Sequence, residues 1–370
     1  MHTNRNLFFE LGKSSKEVRA KIDTAFKSLF EGDAKDARIC FRTKENEAYI
    51  VDTGHSDIRS EGMSYGMMIA ALLHKKELFD SLWLFAKKYM RNATGPHAPY
   101  FSWDLRAADF KMADPGAAPD GEEYFAAALL LGARIFNHPD YQEEAVSLLN
   151  SMAHKKMECG VGAMIDPVEK LIRFSPVTGN DFTDPSYHTV AFYRLYARAC
   201  DSTFWTTVTE RSLAFLKKAI DPQTGLAADY AEFNGTPKAA GWLPESRCFS
   251  GDAWRVALNL GLDYQNSGDP WEREACERIL KFFNAHRPYK ADYATDGGAY
   301  PRTPREATPG LIAMNACAAL ALPEGAPLAK KFIEDLWNQK VPTGTWRYYD
   351  GLLYMLGLLA ASGTFGEYLA

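Results

Sequence analysis

The chain has 370 residues, 46% hydrophobic and 24% charged, a balance that supports a large packed core and excludes disordered, collagen-like and disulfide-scaffold classes. Its formal net charge is -5, with 42 Lys and Arg against 47 Asp and Glu and no basic tract; phosphate neutralisation needs clustered cations, so no nucleic-acid partner is expected. The first twenty residues lack the apolar stretch of a secretory leader, and no run reaches the roughly 20 apolar residues of a bilayer span, so a cytoplasmic protein with no membrane partner is expected.

In chain order, two kinds of helix alternate. Segments near 15–30, 76–91, 140–154, 203–220, 271–283 and 325–338 are amphipathic, with stripes such as Phe204, Val208, Leu216 and Ile220, or Trp271, Ala275, Ile279 and Phe283. Such helices bury one face and show the other to water. Between them lie segments apolar nearly all round: GMMIAALL from Gly66, YFAAALLLGA from Tyr124, TVAFYRLYA from Thr189, WRVALNLGL from Trp254, LIAMNACAALAL from Leu311 and GLLYMLGLLAAS from Gly351. These must be surrounded by protein. Strand-like alternation is short and confined to connections. The recurrence of helix pairs points to an all-α protein, an (α/α)6 barrel of six inner and six outer helices; an open α-solenoid or two helical bundles are the other arrangements of the same pattern. Six scattered cysteines without CxxC spacing read as free, mostly buried thiols.

The openings of the apolar helices carry acids and aromatics: Arg59-Ser60-Glu61, Pro119-Asp120-Gly121, Asp184-Pro185-Ser186-Tyr187-His188 and Gly251-Asp252-Ala253-Trp254-Arg255. Any one acid there serves equally as a helix cap. In a barrel whose inner helices run the same way, however, the openings gather at one end as an acidic cleft. Trp103, Trp242 and the stretch Trp346-Arg347-Tyr348-Tyr349-Asp350 add flat faces suited to pyranose rings, although a loop Trp also serves as a packing anchor. Acids with aromatics suggest a sugar ligand, and cleavage of a glycosidic bond needs two carboxyl groups in unlike roles. Glu61, with Met63 and Tyr65 nearby in sequence, suits the protonated acid, and Asp252, one turn before Arg255, suits the ionised base.

RSEGMSYGMM, APDGEEYFA, DPSYH, SGDAWRVALNLGLD, GLIAMNA and RYYDGLLYMLGLLAASG, in this order over nearly the whole chain, resemble glycoside hydrolase family 8, and within it the xylan-active branch that releases xylose from the reducing end of xylo-oligosaccharides. The resemblance implies one catalytic domain over 1–370, an (α/α)6 barrel that hydrolyses β-1,4 bonds with inversion and requires neither metal nor cofactor. It implies Glu61 as general acid, Asp252 as general base, Asp120 as the group that holds the central sugar, Tyr187 as a contact to the attacking water and Arg255 as the partner that orients Asp252. Arg59, Trp103, Tyr348 and Tyr349 are the candidates for holding substrate.

One loop departs from that branch. Arg302-Thr303-Pro304-Arg305-Glu306-Ala307-Thr308-Pro309 contains no His, whereas the reducing-end enzymes block their cleft there with a His-containing segment. Without an equivalent group, for which Arg305 and Glu306 are the candidates, the cleft stays open and the expected activity becomes an endo-β-1,4-xylanase. Cellulase and chitosanase specificities are the wider family's other hydrolase readings. A sugar epimerase or polysaccharide lyase would need a His or Tyr base. A non-catalytic oligosaccharide-binding protein would tolerate loss of both Glu61 and Asp252. The eight histidines show no zinc-like spacing, and His188 stands as either a substrate contact or a buried His bonded to a backbone carbonyl.

Overall fold

The computed structural model describes residues 5–369. Thirteen α-helices carry the fold: α1 Ser15–Phe26, α2 Ser60–Leu72, α3 Lys76–Phe85, α4 Pro119–Ile135, α5 Pro139–His154, α6 Val190–Ala199, α7 Ser202–Ala219, α8 Arg255–Ser267, α9 Pro270–Ala285, α10 Pro309–Ala318, α11 Pro327–Asn338, α12 Arg347–Ala361 and α13 Thr364–Leu369. Local chemistry explains their starts. Ser14 and Glu17 form a reciprocal capping box on α1. Proline opens α4, α5, α9, α10 and α11, where its missing N–H leaves no intrahelical bond unmade.

The two helix classes behave as their sequences require. All of α2 except Glu61 is buried, while α1, α3, α5, α7, α9 and α11 bury one face. The buried helices are neighbours in succession, α2 with α4, then α6, α8, α10 and α12, and α12 packs back against α2. Each also packs on an amphipathic helix: α2 on α3, α4 on α5, α6 on α7, α8 on α9, α10 on α11, and α12 on α1 from the other end of the chain. The Leu7 N–H donates to Ala361 O at 2.7 Å, tying the two ends together.

Seven short strands lie in the connections. β1 (Cys40–Arg42) pairs with β2 (Ala48–Ile50), β3 (Asp57–Arg59) with β4 (Asp104–Arg106), β4 with β5 (Met112–Asp114), and β6 (Phe182–Thr183) with β7 (Ala231–Glu232), all antiparallel. The β3–β4 pair leads directly into α2, and the Ser60 N–H donates to Trp103 O at 3.1 Å, fixing the start of the helix that carries Glu61.

Three details differ from the sequence reading. α1 and α3 continue into π-turns, Lys27–Glu31 and Ala86–Met90. A thirteenth helix, α13, follows the twelve that periodicity indicates. Asp184 caps a separate 3-10 turn, Pro185–Tyr187, and does not open α6 itself. The reason is local: the Tyr187 and His188 carbonyls accept the Thr189 and Val190 N–H groups two residues on, at 2.8 and 3.0 Å, so the chain leaves the helical path before α6 begins. No helix among the described residues is long and apolar enough to cross a membrane.

Close helix approach depends on small residues. A Cβ on Gly261 of α8 would collide with the Cys317 carbonyl oxygen of α10, and backbone cannot yield as a flexible side chain does. Gly261→Ala is expected to destabilise the fold by about 1–3 kcal/mol, read as a lower urea midpoint at unchanged slope.

Candidate active site

The openings of α2, α4 and α8 and the turn before α6 meet at one cation. Arg255, the first residue of α8, is buried. Its Nη1 donates to Asp120 Oδ2 at 2.7 Å, Tyr65 Oη at 2.8 Å and Glu61 Oε2 at 3.3 Å. Its Nη2 reaches Asp252 Oδ1 at 3.2 Å and Asp184 Oδ2 at 3.5 Å. Four carboxyl groups from four chain segments therefore share one guanidinium, whose several donors in a fixed fork suit that task. Glu61 and Asp252 lie on opposite nitrogens. This caps the separation of their bonded oxygens at roughly 9 Å, compatible with the 6.5–9.5 Å that leaves room for a water.

The two acids have unlike surroundings. The Glu61 side chain is 16% exposed and that of Asp252 is 37% exposed. Tyr348 donates its hydroxyl to Glu61 Oε1 at 3.0 Å, and Gly62 makes that approach possible, since a Cβ there would stand 2.5 Å from the Tyr348 ring. Burial raises the Glu61 pKa to about 7, with Arg255 opposing and Asp120 and Asp252 adding to the rise. Tyr348, which sequence proximity alone could not identify, meets Glu61 through its hydroxyl, while the Met63 sulfur faces the Ile50 N–H. Burial also raises the pKa of Asp120, against the pull of Arg255, and places Asp184 well above the usual carboxylate range, reinforced by Asp252.

The remaining candidates fall around this centre. Tyr187 is buried with the Arg255 guanidinium 5.6 Å from its ring centroid. Tyr349 Oη donates to Gly251 O at 2.9 Å, next to Asp252. Arg59 pairs with Asp57 at 3.0 Å and Asp52 at 3.2 Å, and Trp103 lies below it with 5.9 Å from ring centroid to guanidinium. His188 does not face the centre: its ring bonds Ser212 at 2.9 Å and Thr183 at 3.1 Å, and burial lowers its pKa to about 3. It is a buried core residue, as one expectation had it, but its partners are two side-chain hydroxyls and not a backbone carbonyl.

A cleft of about 670 Å³ passes over Glu61 and Asp252, lined also by Arg59, His55, Tyr348, Tyr349 and Trp346. Trp346 is 65% exposed. Gly54 supports one side of its ring, because any Cβ there would strike the indole, and His55 meets it edge-on at 5.5 Å. Arg305 lines the same cleft. It is held by Asp292 at 2.5 Å and Ser250 at 2.8 Å, with its guanidinium 5.0 Å from the Trp254 centroid. Glu306 instead pairs with Lys290 in a largely exposed position. The sequence reading names Asp184 among the acids of the helix openings but gives it no role, and it does not name Asp229. Asp229 accepts the Ser250 and Ala253 N–H groups at 3.1 and 3.0 Å and so shapes the turn bearing Asp252. For Asp184 the signal was its place in the DPSYH motif; for Asp229 there was none.

Removing the shared cation tests this arrangement. Arg255→Met leaves the acids uncompensated, so at neutral pH stability is expected to fall by about 3–5 kcal/mol. The loss should shrink as pH falls, because protonation removes the charges that Arg255 had balanced. Urea denaturation at two pH values checks both the size and the sign.

Comparison with known proteins identifies the family. The glycosyl hydrolases family 8 model matches residues 43–363. The chain is 38% identical to a reducing-end xylose-releasing exo-oligoxylanase of Paenibacillus barcinonensis, covering 99% of this chain and 97% of that protein. It is 39% identical to a reducing end xylose-releasing exo-oligoxylanase of Halalkalibacterium halodurans, covering 98% and 93%. Among solved structures, the xylobiose complex of a family 8 protein from Teredinibacter turnerae superposes with a TM-score of 0.92 at 39% identity, covering 99% and 98%. The chain therefore belongs to glycosyl hydrolase family 8 and is a glycoside hydrolase.

Proposed function

We propose that this hydrolase cleaves β-1,4-xylosidic bonds of xylo-oligosaccharides with inversion, releasing xylose from the reducing end. We read residues 1–370 as one catalytic domain, an (α/α)6 barrel. The observation that carries the mechanism is the pair Glu61 and Asp252, unequal in solvation and facing each other across one guanidinium. Glu61 holds a proton at neutral pH and gives it to the leaving glycosidic oxygen. Asp252 takes a proton from a water, whose oxygen attacks the anomeric carbon from the opposite face. One bond forms as the other breaks, the product has inverted configuration, and the two carboxyls then exchange protons with solvent to restore the starting state. We assign Asp120 to the central sugar and Tyr187 to the attacking water, as the family resemblance implies; both are buried around Arg255, which orients Asp252 while balancing the other acids.

The relatives from Paenibacillus and Halalkalibacterium support xylo-oligosaccharide as substrate, and Arg305 is the group we assign to limit the cleft in place of a His. The endo-β-1,4-xylanase reading keeps two specific supports: the Arg302–Pro309 loop has no His, and a Teredinibacter turnerae family 8 xylanase with xylohexaose is equally similar, at 39% identity and a TM-score of 0.92. All six cysteines are free thiols, which supports a reducing, cytoplasmic setting.

Reducing-end-labelled xylotriose through xylohexaose, followed by chromatography, decides the mode. Labelled xylose alone at early times is expected; labelled xylobiose and xylotriose from the start would establish internal cleavage, and no cleavage would reject xylan as the source of substrate. Glu61→Gln and Asp252→Asn should each reduce kcat by about 10²–10⁴-fold with folding retained, and activity near that of the native enzyme in either would overturn the role assignment. The kcat/KM profile should fall as pH rises through about 7, because Glu61 then loses the proton it must donate.

A further inference from the structure

Glu123 lies one turn beyond Asp120 on α4, wholly buried and outside the cluster around Arg255. Its Oε1 is 2.6 Å from Tyr193 Oη, and the same phenol oxygen is 2.9 Å from the main-chain carbonyl oxygen of Tyr187. A phenol has one proton. The Tyr187 carbonyl can only accept, so if Tyr193 donates there, its remaining contact is satisfied only by a proton on Glu123. The opposite arrangement, Tyr193 donating to an ionised Glu123, leaves two oxygens facing each other at 2.9 Å with no hydrogen between them. It also buries a carboxylate whose influencing cation, Arg255, already serves four other acids. The Thr189 hydroxyl is the other neighbour of the Glu123 carboxyl, and a neutral acid tolerates hydroxyl partners without a paired cation far better than an anion does.

We infer that Glu123 is a permanently protonated positioning residue, donating to Tyr193 so that Tyr193 donates to the Tyr187 carbonyl and fixes Tyr187 against the catalytic centre. The other ties on that turn fit the same purpose. The Thr189 N–H also donates to Tyr187 O at 2.8 Å, Asn259 Nδ2 donates to Ser186 O at 2.7 Å, and Tyr196 Oη holds the Glu123 carbonyl at 2.5 Å. The Tyr187 ring can then neither slide from Arg255 nor leave its parallel contact with Phe174, 6.3 Å away. The relay thus links the helix bearing Asp120 to the turn bearing Tyr187, although Glu123 itself touches neither substrate nor water.

Two measurements test this. In the infrared difference between native protein and Glu123→Gln at pH 7, the carbonyl stretch of a protonated carboxyl should appear as a native band; its absence means Glu123 is ionised and overturns the inference. In turnover of xylotriose, Glu123→Ala and Tyr193→Phe should lower kcat by about 10–100-fold with KM held within about twofold, as expected of a misplaced contact. Glu123→Gln, whose amide still donates, should keep most of the native kcat. A Gln variant as impaired as the Ala variant, or a Tyr193→Phe variant with native kcat, would also overturn it. The kinetic arm rests on the proposed substrate and the infrared arm does not: native protein inert on xylotriose would reject the substrate reading while the band still decides the state of Glu123.

Discussion

Everything at the active end of this protein depends on one buried guanidinium. Four acids brought within 3.5 Å of a single cation would, without it, repel one another and pay for desolvation separately. Placing that cation at the first residue of α8 lets it reach α2, α4 and the Asp184 turn together. The fold is what makes this possible, because only converging helix openings deliver so many short acidic side chains to one point. The reverse dependence holds as well: without Arg255 those openings could not sit so close.

The same cation creates inequality among the acids. A guanidinium shared four ways cannot fully compensate each partner, so local solvation decides which acid keeps a proton. Glu61 lies under Tyr348 and is mostly covered, whereas Asp252 sits on a turn whose side chain remains open to the cleft. Glu61 and Asp252 thus differ in exposure, while the Tyr348 hydroxyl that donates to Glu61 favours its ionised form and works against the burial that raises its pKa. Gly62 belongs to this device, since it clears the space the Tyr348 ring occupies.

Much of this was legible in the chain. Six segments apolar all round and six amphipathic ones announce the helix classes, because hydrophobic periodicity is a one-dimensional signal. Glu61, Asp120 and Asp252 stand out because acids recur at the openings of the buried helices. What could not be read was long-range: that Tyr348, 287 residues away, covers Glu61, or that Arg255 serves Asp120 and Asp184 as much as its neighbour Asp252. The Asp184 turn also escaped, since it is settled by local main-chain hydrogen bonds that periodicity does not record, and nothing in the hydrophobic pattern marks the π-turns. Asp229 was invisible because its work is done through main-chain N–H groups, which any sequence possesses.

Arg305 shows how a binding loop without His can still present a fixed wall. Its guanidinium is held edge-on by Asp292 and Ser250, its main-chain N–H by Asp292 Oδ2 at 2.8 Å, and its face by Trp254. Asp292 is itself buried, and its pKa is held below the usual carboxylate range by these bonds to Arg305, which outweigh burial. A side chain restrained on its edge, its face and its backbone has little freedom left to lose when a sugar arrives. The cleft is therefore bounded by a preorganised cation beside Asp252, and the entropy of fixing that boundary is met during folding and not during binding.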